Sequence, residues 1–319
     1  AQLYIPQLDE WQGAPQPQSR RSVSLTLLQD GKCLLVGSGN SITELFIEGQ
    51  QQGTATASAT DTPSQTASPI GSLEPTTPPP ATNTPTPTAT PTSTPPAYGV
   101  WSSTGPMVYP REQHSAVALP DGRVLIAGGS APGPTYPRTA EIYDSATNEW
   151  SEAGEMSSAR LWHTALLTTN GRILVIGGYD PTRGSREAPV WPPPEVFDPV
   201  SRTWSVLPTD VQADYGSSQV LLPDGRVLLS GFVQGRFCSY YGNALSKTLL
   251  LDPTTGGTVP GPDMEVRRTK HWSAELADGK VLLGGGLATY TYLDETGRCT
   301  IAPGPQRLVE VFDPATDGL

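Results

Sequence analysis

The chain has 319 residues, of which 33 are glycine and 34 proline, with only 16% charged residues and a formal charge of −11. That composition points to an all-β chain full of turns, and no apolar stripe at helical period argues otherwise. The acidic balance excludes a nucleic-acid partner, which needs a basic face; no run approaches a membrane span; and three cysteines without metal-ligand spacing exclude a disulfide scaffold.

Residues 1–11, AQLYIPQLDEW, align without gaps to Ala140–Trp150, AEIYDSATNEW, and to Val309–Leu319, VEVFDPATDGL. The chain thus begins and ends at one phase of a repeat. The clearest copy of its first half is Arg160–Gly178, RLWHTALLTTNGRILVIGG. Two apolar runs, a and b, are joined at Asn170-Gly171, a dipeptide suited to a type I′ hairpin. The same joint recurs at Asp30-Gly31, Asp121-Gly122, Asp224-Gly225 and Asp278-Gly279, and run b closes on Gly128-Gly129, Gly177-Gly178 and Gly285-Gly286. Run c is the EIYD segment and run d carries a tryptophan, Trp101, Trp150 or Trp204. Complete units span 12–101, 102–150, 151–204, 205–258 and 259–319, after an orphan c–d pair. Five units and a half imply a fragment of a six- or seven-bladed ring, closed by an a–b hairpin beyond Leu319; Ala1 likewise reads as a processed or cut end.

The first unit is interrupted. Residues 51–97 are mainly Thr, Pro, Ser and Ala, as in TNTPTPTATPTSTPP, with nothing to pack, and should stay extended and solvated. The stretch is either a loop inserted between runs c and d or a linker between two rings, and long Pro/Thr tracts more often serve as spacers, which favours the linker. The domain reading is therefore partial propeller repeats over 1–50, the low-complexity segment, and four units over 98–319. Such tracts are typical of O-glycosylated stalks, here over 54–97, and place the chain outside the cell or on its surface.

Repeats of this length with four strands read as propeller blades, because a lone sheet cannot cover both its faces. The double glycine of run b, the aromatic on run c (Tyr143, Phe197, Phe312) and the tryptophan on run d resemble a kelch motif. The R-x-x-H-[ST]-A opening and L-x-DG-x-[VI]-L core resemble the bacterial repeats grouped with the galactose oxidase central domain. The resemblance implies an all-β kelch-type β-propeller, a fold that hosts both enzymes and binding proteins. Galactose oxidase implies a copper-radical site of tyrosines, cysteine and histidines; Cys238-Ser239-Tyr240-Tyr241 lies nearest to that chemistry, but nothing matches residue by residue, so no catalytic residue, metal or cofactor is carried over. Kelch-type sugar isomerases are a second enzymatic reading.

His114, His163 and His271 share one repeat phase, and Arg20, Arg111, Arg160 and Arg268 another, three residues earlier. Repeat-equivalent residues are held apart by blade spacing, so hydrogen bonding within or between blades is expected of them rather than metal binding. Cys238 and Cys299 fall in b-to-c connections of neighbouring units, where a disulfide or two free thiols are both open; Cys33 on run b reads as a buried small hydrophobe.

The b-to-c connections are the most variable segments and are longer than a β-turn requires. The first holds Tyr136 and Arg138, and the second Tyr179, Arg183, Arg186 and Trp191. The third holds Arg236, Tyr240 and Tyr241, and the last Tyr290, Tyr292 and Arg298. Loops on a rigid scaffold carry binding residues, and Tyr, Trp and Arg anchor interfaces, although some of these aromatics should merely pack their own loops. The expectation is a recognition module that takes a glycan or an extended peptide at this end, with a sugar oxidase or isomerase and a pure scaffold as rivals.

Overall fold

The computed structural model describes residues 100–316, except 134, 185–189, 215, 232, 235–242, 245 and 294–298, together with strands at 2–5, 10–13, 24–27, 33–36 and 43–47. Among these residues every regular element is a strand. β1 (Gln2–Ile5) and β2 (Glu10–Gly13) form a hairpin with Tyr4 opposite Trp11. The first four-stranded sheet runs β3 (Ser24–Leu27), β4 (Cys33–Val36), β5 (Thr43–Ile47), β6 (Val100–Ser103). Because Phe46 on β5 faces Trp101 on β6, both flanks of the Thr/Pro-rich stretch lie in one sheet.

The second sheet is β7 (Ser115–Ala118), β8 (Val124–Ala127), β9 (Thr139–Asp144), β10 (Glu149–Glu155), and the third is β11 (Thr164–Leu167), β12 (Ile173–Ile176), β13 (Glu195–Asp198), β14 (Thr203–Val206). In the fourth, β15 (Ser218–Leu221) and β16 (Val227–Ser230) are followed by a small hairpin, β17 (Val233–Gln234) with β18 (Asn243–Ala244), before β19 (Thr248–Leu251) and β20 (Thr258–Pro260) complete the sheet. In the last, β21 (Trp272–Glu275) and β22 (Val281–Gly284) are joined to β25 (Val309–Phe312) through a longer hairpin, β23 (Leu287–Leu293) with β24 (Cys299–Pro305). The last two b-to-c connections, read from sequence as loops, therefore carry added hairpins, and β18 lies against β23.

The sheets stack face to face around an axis on which the first strands β3, β7, β11, β15 and β21 succeed one another. The second strand of each sheet is buried on both faces, which is why it reads as an unbroken apolar run. Val124 and Ile126 pack back on Leu34 and Val36, while Leu125 and Ala127 pack forward on Ile173, Val175 and Phe197. The rim is stitched as well. Trp150 lies across from Tyr143 and donates Nε1–H to the Gly105 carbonyl at 2.8 Å; Trp204, across from Phe197, donates to Ala153 at 2.7 Å.

The a–b joint is not the type I′ turn expected. Only the glycine has positive φ (79° at Gly171), and Gly171 N–H bonds the Thr168 carbonyl while Thr168 N–H bonds Arg172. That is a turn begun two residues earlier and closed by a left-handed glycine, a three-residue loop. The Asn170 side chain holds it by accepting from Arg172 N–H, as Asp121 does from Arg123 and Asp224 from Arg226.

Candidate functional site

In three sheets the segment that enters the inner strand carries the R-x-x-H sequence, and its arginine is wholly buried. A buried guanidinium needs a carboxylate. Arg111 meets Glu141 at 2.5 Å and Arg160 meets Glu195 at 2.6 Å, and Arg268 pairs with Glu310. Each arginine also donates to the carbonyl of the first glycine of its own double glycine, Gly128, Gly177 or Gly285. Each carboxylate in turn accepts a backbone N–H of the preceding segment, from Val108, Ser157 or Glu265. The result is a clamp fixing the d-to-a segment against the end of strand b. The glutamates share a sequence phase just as the arginines do, a signal the sequence reading left unused. The fourth sheet lacks both partners: Asp214 stands at the arginine position and Leu249, opposite Leu229, at the glutamate position. Asp214 instead accepts N–H groups from Gly216 and Ser217.

The double glycine has a distinct reason at each residue. The first turns left-handed against the next sheet, so that a Cβ on Gly128 would lie 2.8 Å from the His163 ring and 3.0 Å from the Arg160 carbonyl. The second is pressed on its own sheet, where a Cβ on Gly129 would lie 2.5 Å from the Glu112 carbonyl.

The histidines sit on these seams. His163 Nε2 is 2.8 Å from Ser115 Oγ, and His271 Nε2 is 2.8 Å from Ser230 Oγ, each serine belonging to the preceding sheet. Among the described residues, Nδ1 of His163 and of His271 is buried with no hydrogen-bond partner. A neutral ring leaves a bare lone pair there; a charged ring would bury an unsatisfied N–H. Burial first, and the nearby arginines second, push His114 and His271 down to about 4 and His163 well below the usual value. The unfolded chain titrates near 6.5, so it binds protons before the native state does, and stability present above that pH is lost as pH falls towards 4. Each of His114 and His271 should cost on the order of 3 kcal/mol by pH 4. Urea midpoints should be level from pH 8 to 7 and fall steadily below 6.5; a level profile down to pH 4.5 would refute this.

At the position just before the histidine phase, successive sheets carry Gln113, Trp162, Gly216 and Lys270. Three of them are left-handed without being glycine, with φ of 58° at Gln113, 56° at Trp162 and 53° at Lys270. For a tryptophan this conformation costs on the order of 1–2 kcal/mol, so the surroundings must impose it. They do so through the clamp and through bonds between neighbouring copies, Trp162 N–H to Gln113 O at 3.3 Å and Lys270 N–H to Gly216 O at 2.7 Å.

Between the second and third sheets opens a cleft of about 630 Å³. Two short bridges border it, Glu112 with Ser130 and Leu161 with Tyr179. Trp162, Tyr136, Pro132, Pro181, Gln113 and Arg111 also line it, and Trp162 is 42% exposed. A second hollow of about 400 Å³ shares Tyr136 and holds Arg138, Arg183, Glu155 and Asp180.

Of the residues expected from sequence, Tyr136 is the one shared by both hollows. Arg138 is tied to Glu155 at 2.8 Å, and Arg183 lies 3.8 Å from the buried Asp180. Tyr179 is only 8% exposed, donates to the Gly184 carbonyl and meets Trp191 edge-on with centroids 6.4 Å apart, so this pair largely packs its own loop. Tyr290 and Tyr292 lie on β23, opposite Ala302 and Thr300, away from that cleft's lining. Cys299 pairs with Leu293 on the same hairpin. Arg186, Arg236, Cys238, Tyr240, Tyr241 and Arg298 lie outside the described residues, and with them the proposed disulfide. Trp162, Glu112 and Gln113 were not among the candidates. The available signal was an aromatic at a position that differs in every unit, next to an arginine and a histidine that recur together in three of them.

Residues 113–157 match the Kelch motif. No curated protein matches the sequence. Among solved structures, that of YjhT aligns with 94% of this chain and 83% of its own at a TM-score of 0.58 and 12% identity. A fungal alcohol oxidase of the AA5 family, in complex with copper, aligns with 93% of this chain and 64% of its own at a TM-score of 0.48 and 15% identity. At such identity the likeness to YjhT is one of fold.

Proposed function

From a chain built of kelch-type β-propeller blades we propose a recognition module that binds a glycan or an extended peptide in the cleft between Tyr136 and Trp162. One observation carries this reading: a large aromatic side chain is held half-exposed at the cleft by a backbone conformation that only its surroundings sustain. Aromatic faces suit both sugar rings and peptide side chains, and the prolines and bridged backbone give the cleft a fixed shape. The histidines, which a redox copper site would draw on, are placed at the seams between sheets. The Thr/Pro-rich stretch has the composition of an extracellular stalk, and the proposal places the module at the cell surface on that ground.

Arrays of oligosaccharides and extended peptides probed with the whole chain should give a saturable hit that Tyr136→Ala weakens at least tenfold without loss of folding. Binding unaffected by this change would overturn the reading. Consumption of a bound sugar with release of peroxide would replace it with an oxidase.

A further inference from the structure

The cleft has a chemical preference that its aromatic wall alone does not reveal. Glu112 lines it, half-buried, with its Oε1 3.5 Å from Ser130 Oγ, and among the described residues no lysine or arginine pairs with it; the adjacent Arg111 is spent on Glu141. The cleft therefore presents an uncompensated carboxylate beside the Gln113 amide and the Trp162 ring. An anionic ligand would be repelled there. A cage for a quaternary ammonium needs several open aromatic faces, and Tyr179 is buried with its hydroxyl tied back to Gly184. A neutral sugar meets all three groups, with C–H faces for the indole and neighbouring hydroxyls for a carboxylate and an amide.

The indole is also carried on a strained backbone. At φ 56° glycine would be at ease and tryptophan is not.

We propose that Trp162, Gln113 and Glu112 form a subsite for a neutral pyranose, the ring resting on Trp162 and two vicinal hydroxyls bonding Glu112 and Gln113, and that the Glu112 carboxylate rejects acidic sugars. The proposal rests on the reading of this cleft as the ligand site.

The test is binding of the whole chain to neutral hexasaccharides (cellohexaose, xylohexaose, mannohexaose) and to oligogalacturonates, with thermal midpoints measured in parallel. A neutral hexasaccharide should bind and the oligogalacturonates should not. Trp162→Gly should weaken binding at least tenfold while its thermal midpoint stays level or rises, because glycine relieves the left-handed strain; a merely packing tryptophan would lower the midpoint. Glu112→Gln should raise the ratio of oligogalacturonate to neutral affinity at least tenfold. Preference of the parent chain for oligogalacturonates, or a Trp162→Gly variant that melts earlier and binds as before, would overturn the subsite while leaving glycan recognition standing. Folded protein that binds no saccharide of either kind would overturn glycan recognition and the subsite together.

Discussion

Replacing Arg160 alone by methionine is expected to lower stability by about 3–5 kcal/mol, because the change strands the Glu195 carboxylate in a site without water. The pair is 0% and 1% exposed and lies at 2.6 Å. Glu195 would keep only the Ser157 N–H, and the Gly177 and Pro193 carbonyls would lose their donor. Replacing both partners, Arg160→Met with Glu195→Leu, should cost distinctly less than the single change, since a neutral apolar pair leaves no buried charge. The fourth sheet supports that expectation, as it stands with Leu249 at the glutamate position and no arginine. Urea unfolding of the three proteins decides the matter: a single variant within about 1 kcal/mol of the parent would show that the clamp is not a buried charge pair.

Gly178→Ala is the second severe change. The residue has φ of 86°, and an added Cβ would lie 2.5 Å from the Leu161 carbonyl and 2.9 Å from the His163 Cβ. Neither neighbour is free to yield, since Leu161 exchanges two backbone bonds with Tyr179 and His163 is locked on Ser115. We expect a loss of about 3 kcal/mol or more, from left-handed strain and steric displacement together. Gly171→Ala is the control. Its φ is 79° but a Cβ there meets nothing within 4 Å, so only the conformational cost, about 1 kcal/mol, should appear. Equal thermal midpoints for the two variants would refute the steric account.

Much of this architecture was legible in the sequence because each sheet repeats the same physical problem. Strand b must be apolar on both faces, strand d must offer a tryptophan to the preceding rim, and the double glycine must pass between two backbones; hence the recurring run, ring and glycines. The orphan hairpin was legible too, since Tyr4 faces Trp11 as Tyr143 faces Trp150. The turn type was not, because Asp-Gly and Asn-Gly serve a two-residue loop and a three-residue loop alike, and only hydrogen bonding separates them. The clamp was half legible: the arginines were in view, but their glutamates lie on strand c, 30 and 35 residues away in the second and third sheets, and pairing at that distance is a property of the folded sheet. The added hairpins β17–β18 and β23–β24 have no counterpart among the described residues of the other units, so no comparison within the chain announced them. Trp162 was hidden for the opposite reason, as it stands inside the repeat, where a variable residue looks like noise.

The clamp also separates two tasks that proteins often entangle. Backbone bonds and a buried ion pair fix the path of the chain on either side of Gln113 and Trp162, so what the intervening side chain is made of matters little to the scaffold. The same slot holds serine at position 22, then glutamine, tryptophan, glycine and lysine. The three clamped sheets thus work as sockets holding Gln113, Trp162 and Lys270, and exchanging those residues is a route to new specificities that leaves the supporting frame untouched.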